Sequence, residues 1–290
     1  MRRGVFIIFY CLLIFASYFF VLKVKATTIS PAKYLITLAS GDTGNVAVTI
    51  KNDENTDVEY SFSVLGVKQS ELGGPLFLSG LSEVESWIVP EIKQISIASG
   101  EEKNINFKIN IPATVYSGSY YLGLAVQKIN LPGSDVGLSG RLITLLNLQV
   151  AGEAREVLQI NEFNLNQKLS KNREDFTFVL GLKNQGNVDL PLKGEIKILD
   201  WKKKEISNQE VYLGNNLLPS SNRRLTLIFD KSLSWSPVYF AQVVVDYGRT
   251  KQVAQKTIFI NNLSVTYIIF GFIFLILLYL IKTKKKAIKI

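Results

Sequence analysis

Residues 104–112 read "NINFKINIP", and this stretch decides the fold class. Isoleucine or phenylalanine stands at every second position from 105 to 111, with asparagine or lysine between them. Because successive side chains of a β-strand point to opposite faces, this alternation predicts a strand with one buried and one solvated face. "VEYSFSV" (58–64) and "DFTFVLGLKN" (175–184) alternate in the same way. Outside two apolar terminal segments, no sustained helical period is present.

The spacing of these strands predicts the architecture. Between residues 33 and 260 the alternation gives fifteen short strands separated by turn signals. Seven or eight strands in each ~110 residues is the pattern of an immunoglobulin-like sandwich. The Cys–Trp–Cys signature of antibody domains is missing, so no inter-sheet disulfide is expected. The predicted fold class is all-β, with two tandem immunoglobulin-like β-sandwich domains and one C-terminal transmembrane helix.

The two halves of the chain repeat one another. "TIKNDENTDVEY" (49–60) aligns with "GLKNQGNVDLPL" (181–192) through a shared K-N-x-x-N-x-D. Further along, "SGEEKNINFKI" matches "SSNRRLTLIF" in pattern, and "SGSYYLGLAV" matches "SPVYFAQVVV", which places Tyr120 opposite Tyr239. Three landmarks in the same order predict two copies of one fold, with a boundary near residues 151–156.

The first copy contains D-x-N-x-D-x-E at residues 53–59, which is how a calcium loop begins. A loop of the EF type needs glycine at its sixth position and glutamate at its twelfth, where this chain has Val58 and Val64. The second copy replaces Asp53 and Glu59 by Gln185 and Pro191. The sequence therefore favours a polar turn between strands. We predict no metal and no cofactor, and weak calcium binding at Asp53–Glu59 stays an open alternative.

Charge and rare residues exclude several function classes. The formal charge of +9 comes from the two ends of the chain, because residues 27–260 hold 24 basic and 24 acidic side chains. A nucleic-acid footprint is therefore not expected. The chain has no histidine, and its single cysteine, Cys11, lies in the apolar N-terminal segment. Zinc sites with His or Cys ligands and nucleophile–His triads are excluded, and we predict no catalytic residues.

Both ends of the chain carry apolar segments. The first 26 residues have two arginines, a long apolar run and small residues at 24 and 26, which predicts a secretory signal peptide; an uncleaved anchor is the alternative. "LSVTYIIFGFIFLILLYLI" (263–281) has no charge and would span ~28 Å as a helix. Five lysines follow it. This pattern predicts a type I single-pass protein of the cell membrane, with its N-terminal domains extracytoplasmic and a basic tail in the cytoplasm.

These features together predict five segments. They are a signal peptide (1–26), a membrane-distal sandwich (27–152), a membrane-proximal sandwich (153–261), a transmembrane helix (262–281) and a cytoplasmic tail (282–290).

Part of the chain resembles a known bacterial family. "SWIVPEIKQISIASGEEKNINFKINIPATVYSGSYYLGLAV" is similar to the first extracellular module of WxL-interacting surface proteins. "LKNQGNVDLPLKGEIKILDWKKKEI" and "LLPSSNRRLTLIF" look like their second module, with an N-x-G-N turn and an L-P-x-S-x-R motif. The resemblance covers residues 30–260. It implies peptidoglycan binding by the first module and partner binding by the second.

Candidate partner-binding residues lie at three places. Trp87 can stack on a sugar ring, although an aromatic residue on a strand more often fills the core. Leu76 and Phe77 belong to an apolar insertion, "ELGGPLFLSGL" (71–81), that can cap the core or dock a partner. "DWKKKEI" (200–206) can contact anionic polymer or lipid through a tip that is otherwise solvated. That tip consists of Trp201, Lys202, Lys203 and Lys204.

Three functions compete at this point. The first is a non-enzymatic, membrane-anchored surface protein whose outer sandwich recognises cell-wall polymer or another surface protein. The second is an assembly or chaperone-like factor that offers a strand edge to an exported partner. The third is a secreted-face hydrolase, which would need a pair of carboxylates in a cleft.

Overall fold

The structure is a computed structural model that describes residues 26–80, 82–129, 140–166, 176–231, 233, 236–261 and 263–287. Within α1, the C-terminal helix, side chains are described from residue 267 to 282. The signal-peptide prediction for residues 1–26 lies outside the described residues except at residue 26.

Strands β1 to β10 form a first sandwich. One sheet has the order β1-β3-β8-β6; the other has the order β2-β10-β9-β4-β5, with β7 also paired to β4. All pairings are antiparallel except the parallel pairing of β2 with β10. The strands are β1 Thr28–Ser30, β2 Lys33–Leu38, β3 Thr43–Lys51, β4 Val58–Gln69, β5 Pro75–Leu78, β6 Ile88–Pro90, β7 Gln94–Ile97, β8 Glu102–Asn110, β9 Gly118–Lys128 and β10 Arg141–Val150. A single 3₁₀ turn, Glu83–Trp87, precedes β6.

Strands β11 to β17 form a second sandwich from a sheet β11-β12-β15 and a sheet β14-β13-β16-β17. The strands are β11 Leu158–Asn166, β12 Phe176–Asn184, β13 Leu192–Leu199, β14 Glu205–Val211, β15 Asn222–Phe229, β16 Val238–Tyr247 and β17 Gln252–Asn261. The all-β class and the two sandwiches follow from the sequence as predicted. The exact domain bounds 27–152 and 153–261 stay a proposal.

The period-two pattern sets the cores of both sandwiches. On β8, Ile105, Phe107 and Ile109 are buried in the first core, while the residues between them are exposed. On β12, Phe178 and Leu180 are buried in the second core. Each core lies between two sheets because one face of every central strand is apolar.

The second sandwich repeats the connectivity of the first. β3 lies between β1 and β8, and β12 lies between β11 and β15. The order β4-β9-β10 recurs as β13-β16-β17. β2 and β6 of the first sandwich have no counterpart in the second, and β14 alone pairs with β13 where both β5 and β7 pair with β4.

One buried asparagine organises the same turn in each copy. The amide of Asn52 donates to the carbonyls of Thr56 and Ile97, and its oxygen accepts from the backbone N–H of Glu54. Asn184 repeats the pattern with Val188, Leu217 and Gly186. Because both asparagines are fully buried, these bonds satisfy backbone groups that water does not reach.

The carboxylates of the first turn already have protein partners. Asp53 pairs with Lys51 at 2.6 Å, Glu54 pairs with Lys128, and Asp57 accepts a hydrogen bond from the N–H of Ser99. Within the described residues, no cluster of three or more acidic side chains is placed to hold a metal ion.

The chain ends in α1, Leu263–Ala287. Across the residues that the structure describes, no helix is both long and apolar enough to cross a membrane. The predicted transmembrane helix over 262–281 is therefore wrong, and the fold class is corrected to the two sandwiches without it. The type I membrane location, the cytoplasmic tail and the integral-membrane partner depended on that helix and are corrected with it.

Candidate partner-binding site

Asn187 holds the two sandwiches together beside the linker. Its side-chain amide donates to the carbonyls of Ser117 and Glu153, and its side-chain oxygen accepts from the N–H of Arg155. Its own carbonyl accepts from the N–H of Ser119. The backbone passes so closely that a Cβ on Gly118, where φ is +146°, would lie 2.5 Å from that carbonyl oxygen. Glycine is required at this position by the close approach and by the positive φ.

A second set of hydrogen bonds between the sandwiches lies at the C-terminal end of β4. There the side chain of Gln69 bonds to residues of the second sandwich. Gln69 is 7% exposed. Its amide donates to the carbonyls of Gly73 and Asn216, and its side-chain oxygen accepts from the N–H of Leu218. All three bonds are between uncharged groups, and two of them join the sandwiches. Gln69 therefore fixes the β4–β5 hairpin against the loop at 213–218.

Arg223 on β15 holds the loop at 213–218 by hydrogen bonds to its backbone. Its guanidinium donates to the carbonyls of Leu213, Asn215 and Asn216, and it is 1% exposed. Burial lowers the pKa of Arg223. Among the described residues no carboxylate pairs with it, so backbone carbonyls alone disperse its charge.

A polar cluster completes the interface. Asn147 on β10 donates to the hydroxyl of Tyr121 at 3.1 Å, and Asn216 donates to the carboxylate of Asp189 at 2.6 Å. Burial raises the pKa of Tyr121, and the negative charge of Asp189 raises it further. The hydroxyl of Tyr121 is therefore protonated at neutral pH.

A cleft of about 740 Å³ lies between the two sandwiches. Its first wall is the end of β4 with Leu76 of β5 and Ser119 to Tyr121 of β9, and its second wall is the loop from Leu218 to Asn222. The charged residues at its surface are Lys68 and Glu71, which cancel. The Ser119 hydroxyl is buried and has no hydrogen-bond partner. The cleft thus offers apolar area and neutral hydrogen-bonding groups, which suit an uncharged peptide segment.

Strand β5 forms one rim of this cleft and is an open edge. It pairs with β4 on one side, and no described strand pairs with its other side. Leu76 and Leu78 on β5 are 46% and 45% exposed, and Leu72 in the preceding turn is 87% exposed. An exposed apolar edge is a template for pairing with another chain.

Other edge strands in the described part of the chain are shorter than β5, are partly covered, or lie away from the cleft. β1 and β6 have three residues each. The edge of β15 is partly covered at two places. The backbone N–H of Arg224 donates to the backbone carbonyl of Glu71, and the side chain of Gln209 donates to the carbonyl of Ile228. Lys256 of β17 donates to a carbonyl of β11. β2 is open, but it lies at the opposite edge of the sheet from β5.

The structure separates the predicted site residues. Trp87 is 8% exposed and packs edge-on against Tyr120 with ring centroids 5.1 Å apart, so it is a core residue in this structure. Leu76 lies on the cleft rim, and Phe77 packs over Gly123 of β9. These three lie in the first sandwich, and only Leu76 reaches the cleft.

The second predicted group lies on the β13–β14 hairpin of the other sandwich. Trp201 is exposed, and the ammonium of Lys202 lies 4.9 Å from its ring centroid. Asp200 accepts backbone hydrogen bonds from Lys202 and Lys204 and thereby shapes the turn. Lys203, the third residue of the tip 201–204, has a positive φ of 62°. This tip does not line the cleft, and its role as a binding site stays a prediction.

Sequence reasoning missed Gln69 and the interface role of Asn187. Asn187 belongs to the N-x-G-N turn, and its alignment with Asn55 marked it only as a repeated turn residue. Gln69 ends an alternating strand and carries no motif. Two adjacent glycines after a strand, Gly73 and Gly74, were the one local signal of a tight hairpin there.

Comparisons with known proteins return structural likeness alone. No family model matches the chain, and no curated protein matches it. A chaperone–tip adhesin complex of CFA/I fimbriae is similar at a TM-score of 0.47 and 10% identity, over 80% of this chain and 98% of that chain. The class 5 fimbriae chaperone CfaA gives 0.43 and 12%, over 80% and 98%. The CsuC–CsuE chaperone–tip adhesion subunit complex of Acinetobacter baumannii gives 0.41 and 15%, over 81% and 97%.

These similar structures are fimbrial chaperones, not WxL-interacting surface proteins. The resemblance to that family is therefore wrong, and the implied peptidoglycan binding falls with it. The sequence motifs misled because they mark strands and turns that unrelated sandwiches share. At these TM-scores and identities the likeness carries no argument about what this chain binds.

Proposed function

We propose that this chain is a non-enzymatic assembly factor that pairs the free edge of β5 with an extended segment of an exported partner. The observation that carries the proposal is the open, apolar edge of β5 at the rim of the cleft between the sandwiches. In this binding mode the main-chain hydrogen bonds supply affinity, and pockets for alternate side chains supply selectivity. The membrane-anchored surface protein that the sequence favoured is not supported, because it depended on the corrected membrane span.

Magnitudes show why the edge needs the cleft. Covering the exposed halves of Leu76 and Leu78 stabilises a complex by roughly 2 kcal/mol. Two or three new main-chain hydrogen bonds add roughly 1–4 kcal/mol. Association costs at least ~4 kcal/mol, so the edge alone binds weakly. A segment that also fills the cleft gains further apolar contact with residues such as Leu76 and Val84.

The composition of the cleft favours binding over hydrolysis. Glu71 is the one acid among the residues that line the described cleft, whereas glycoside hydrolysis uses two carboxylates. The chain has no histidine to act as a base for Ser119.

Site-specific photo-crosslinking in intact cells tests the proposal. A photoreactive residue at Leu78 should give one defined adduct, because this side chain lies on the open edge. The same residue at Val253, an exposed position on the edge strand β17, is the matched control and should give none.

Charge substitution then links the adduct to strand pairing. Leu76→Lys should abolish the adduct at Leu78, since lysine on an edge opposes pairing. Val253→Lys, on the edge strand β17, should leave it intact. An uncrosslinked monomer in every variant, or equal adducts at Leu78 and Val253, would refute the proposal.

A further inference from the structure

The residue just before β1 occupies a buried polar site. Thr27 is 7% exposed, whereas Ala26 before it is exposed. The Thr27 hydroxyl donates to the carboxylate of Glu54 at 3.1 Å and lies 2.7 Å from the hydroxyl of Tyr60. Because the Thr27 proton is directed at Glu54, the Tyr60 hydroxyl is the donor in the second bond.

Glu54 also pairs with Lys128. Lys128 lowers the pKa of Glu54, burial opposes that effect, and hydrogen bonds from the hydroxyl and the backbone N–H of Thr27 lower it further. The carboxylate therefore accepts from Lys128 and from the Thr27 hydroxyl. An ionised carboxylate can accept about four hydrogen bonds, so this arrangement is within its capacity.

We propose that the chain is cut between Ala26 and Thr27 and that the new α-ammonium of Thr27 binds the carboxylate of Glu54. A processing peptidase would hydrolyse the bond with one water. The water oxygen goes to the carbonyl carbon of Ala26, and the Thr27 nitrogen becomes an amine that takes up a proton at neutral pH. The nitrogen of the same residue whose hydroxyl already donates to Glu54 thus becomes a cation, and an ionic hydrogen bond is stronger than a neutral one.

The structure disfavours a cut one residue earlier and a cut one residue later. A cut one residue earlier would place the ammonium on the exposed Ala26, away from the Glu54 site. A cut one residue later would remove Thr27 and with it the partner of the Tyr60 hydroxyl, which lies in a fully buried side chain. Small residues at 24 and 26 suit a peptidase that removes a secretory signal.

The intact mass of the full chain, expressed with its own N-terminus in an exporting bacterium, tests the cut. The expected product begins at Thr27. A product that keeps residues 1–26, or that begins at another residue, overturns the proposal.

A four-variant comparison tests the ion pair. Chains 27–290 and 26–290, each with Glu54 or Glu54→Gln, are unfolded in urea. With Glu54 present, the chain that begins at Thr27 should have a folding equilibrium constant about three- to ten-fold larger than the chain that begins at Ala26. With Glu54→Gln this difference should vanish. An equal difference in both backgrounds would refute the pairing, because the double-mutant cycle isolates that interaction.

Discussion

Arg223→Ala is the substitution whose effect the structure defines most closely. The guanidinium makes three hydrogen bonds to carbonyls of the 213–216 loop in a side chain that is 1% exposed. Alanine leaves the carbonyls of Leu213 and Asn215 without this donor, while the carbonyl of Asn216 keeps its bond from Gln69. Hydrogen bonds from a charged donor contribute ~1.5–3 kcal/mol each, and removal of the buried cation returns part of that sum. We expect a net loss of about 3–5 kcal/mol in the free energy of unfolding.

Urea denaturation followed by circular dichroism measures this loss. With a slope of ~2–3 kcal/mol per molar urea, the midpoint should fall by roughly 1–2 M. Arg224→Ala is the matched control, because the neighbouring side chain is exposed and pairs only with Glu162 at the surface. Its midpoint should change far less. If Arg223→Ala lowers the midpoint no more than Arg224→Ala does, then the buried guanidinium does not hold the loop and the account of the interface is wrong.

Three further predictions test the repeat, the interface and the polar cluster. Asn52→Ala and Asn184→Ala should each lower the free energy of unfolding by about 2–4 kcal/mol, since each removes three hydrogen bonds at a buried turn. An unchanged free energy of unfolding in either variant would contradict the common role of the two asparagines. Gly118→Ala should lower the urea midpoint through its clash with the neighbouring sandwich, whereas Gly140→Ala, with nothing within 4 Å, should not. The pKa of Tyr121 is raised by folding, so its contribution to stability is complete below about pH 10 and is lost as the pH rises through the folded-state value. Tyr121→Phe should therefore lessen the loss of stability between about pH 10 and 12, and an unchanged alkaline profile would refute this.

The sandwiches could be predicted because period-two alternation is local. The burial of Phe107 and of Phe178 follows from their own strands, whatever those strands pair with. The turn at Asn52 was also predictable, because asparagine side chains bond to nearby backbone. The second copy keeps this asparagine as Asn184 but lacks two of the carboxylates of the first copy, which favoured a turn over a calcium loop. Composition likewise excluded histidine chemistry.

The apolar C-terminal segment and the family motifs gave wrong expectations. Hydropathy and flanking lysines predicted a membrane span over 262–281, but no described helix meets the requirement for one. Trp87 is buried beside Tyr120, in line with the core position that the sequence favoured over sugar stacking, and a partner-binding role for it stays a prediction. An aromatic residue on a strand has the same sequence signature whether it faces the core or a ligand.

The sequence by itself determined the strands, the two copies and the buried face of each sheet, because these depend on alternation and turn chemistry within a few residues. Tertiary structure alone decided the cleft, since Gln69 and Leu218 are far apart in the chain and meet only when the sandwiches dock. It also decided that the edge of β5 is open while that of β15 is partly covered. Whether an edge is free depends on which other segments reach it, and the alternation of a strand is the same in either case.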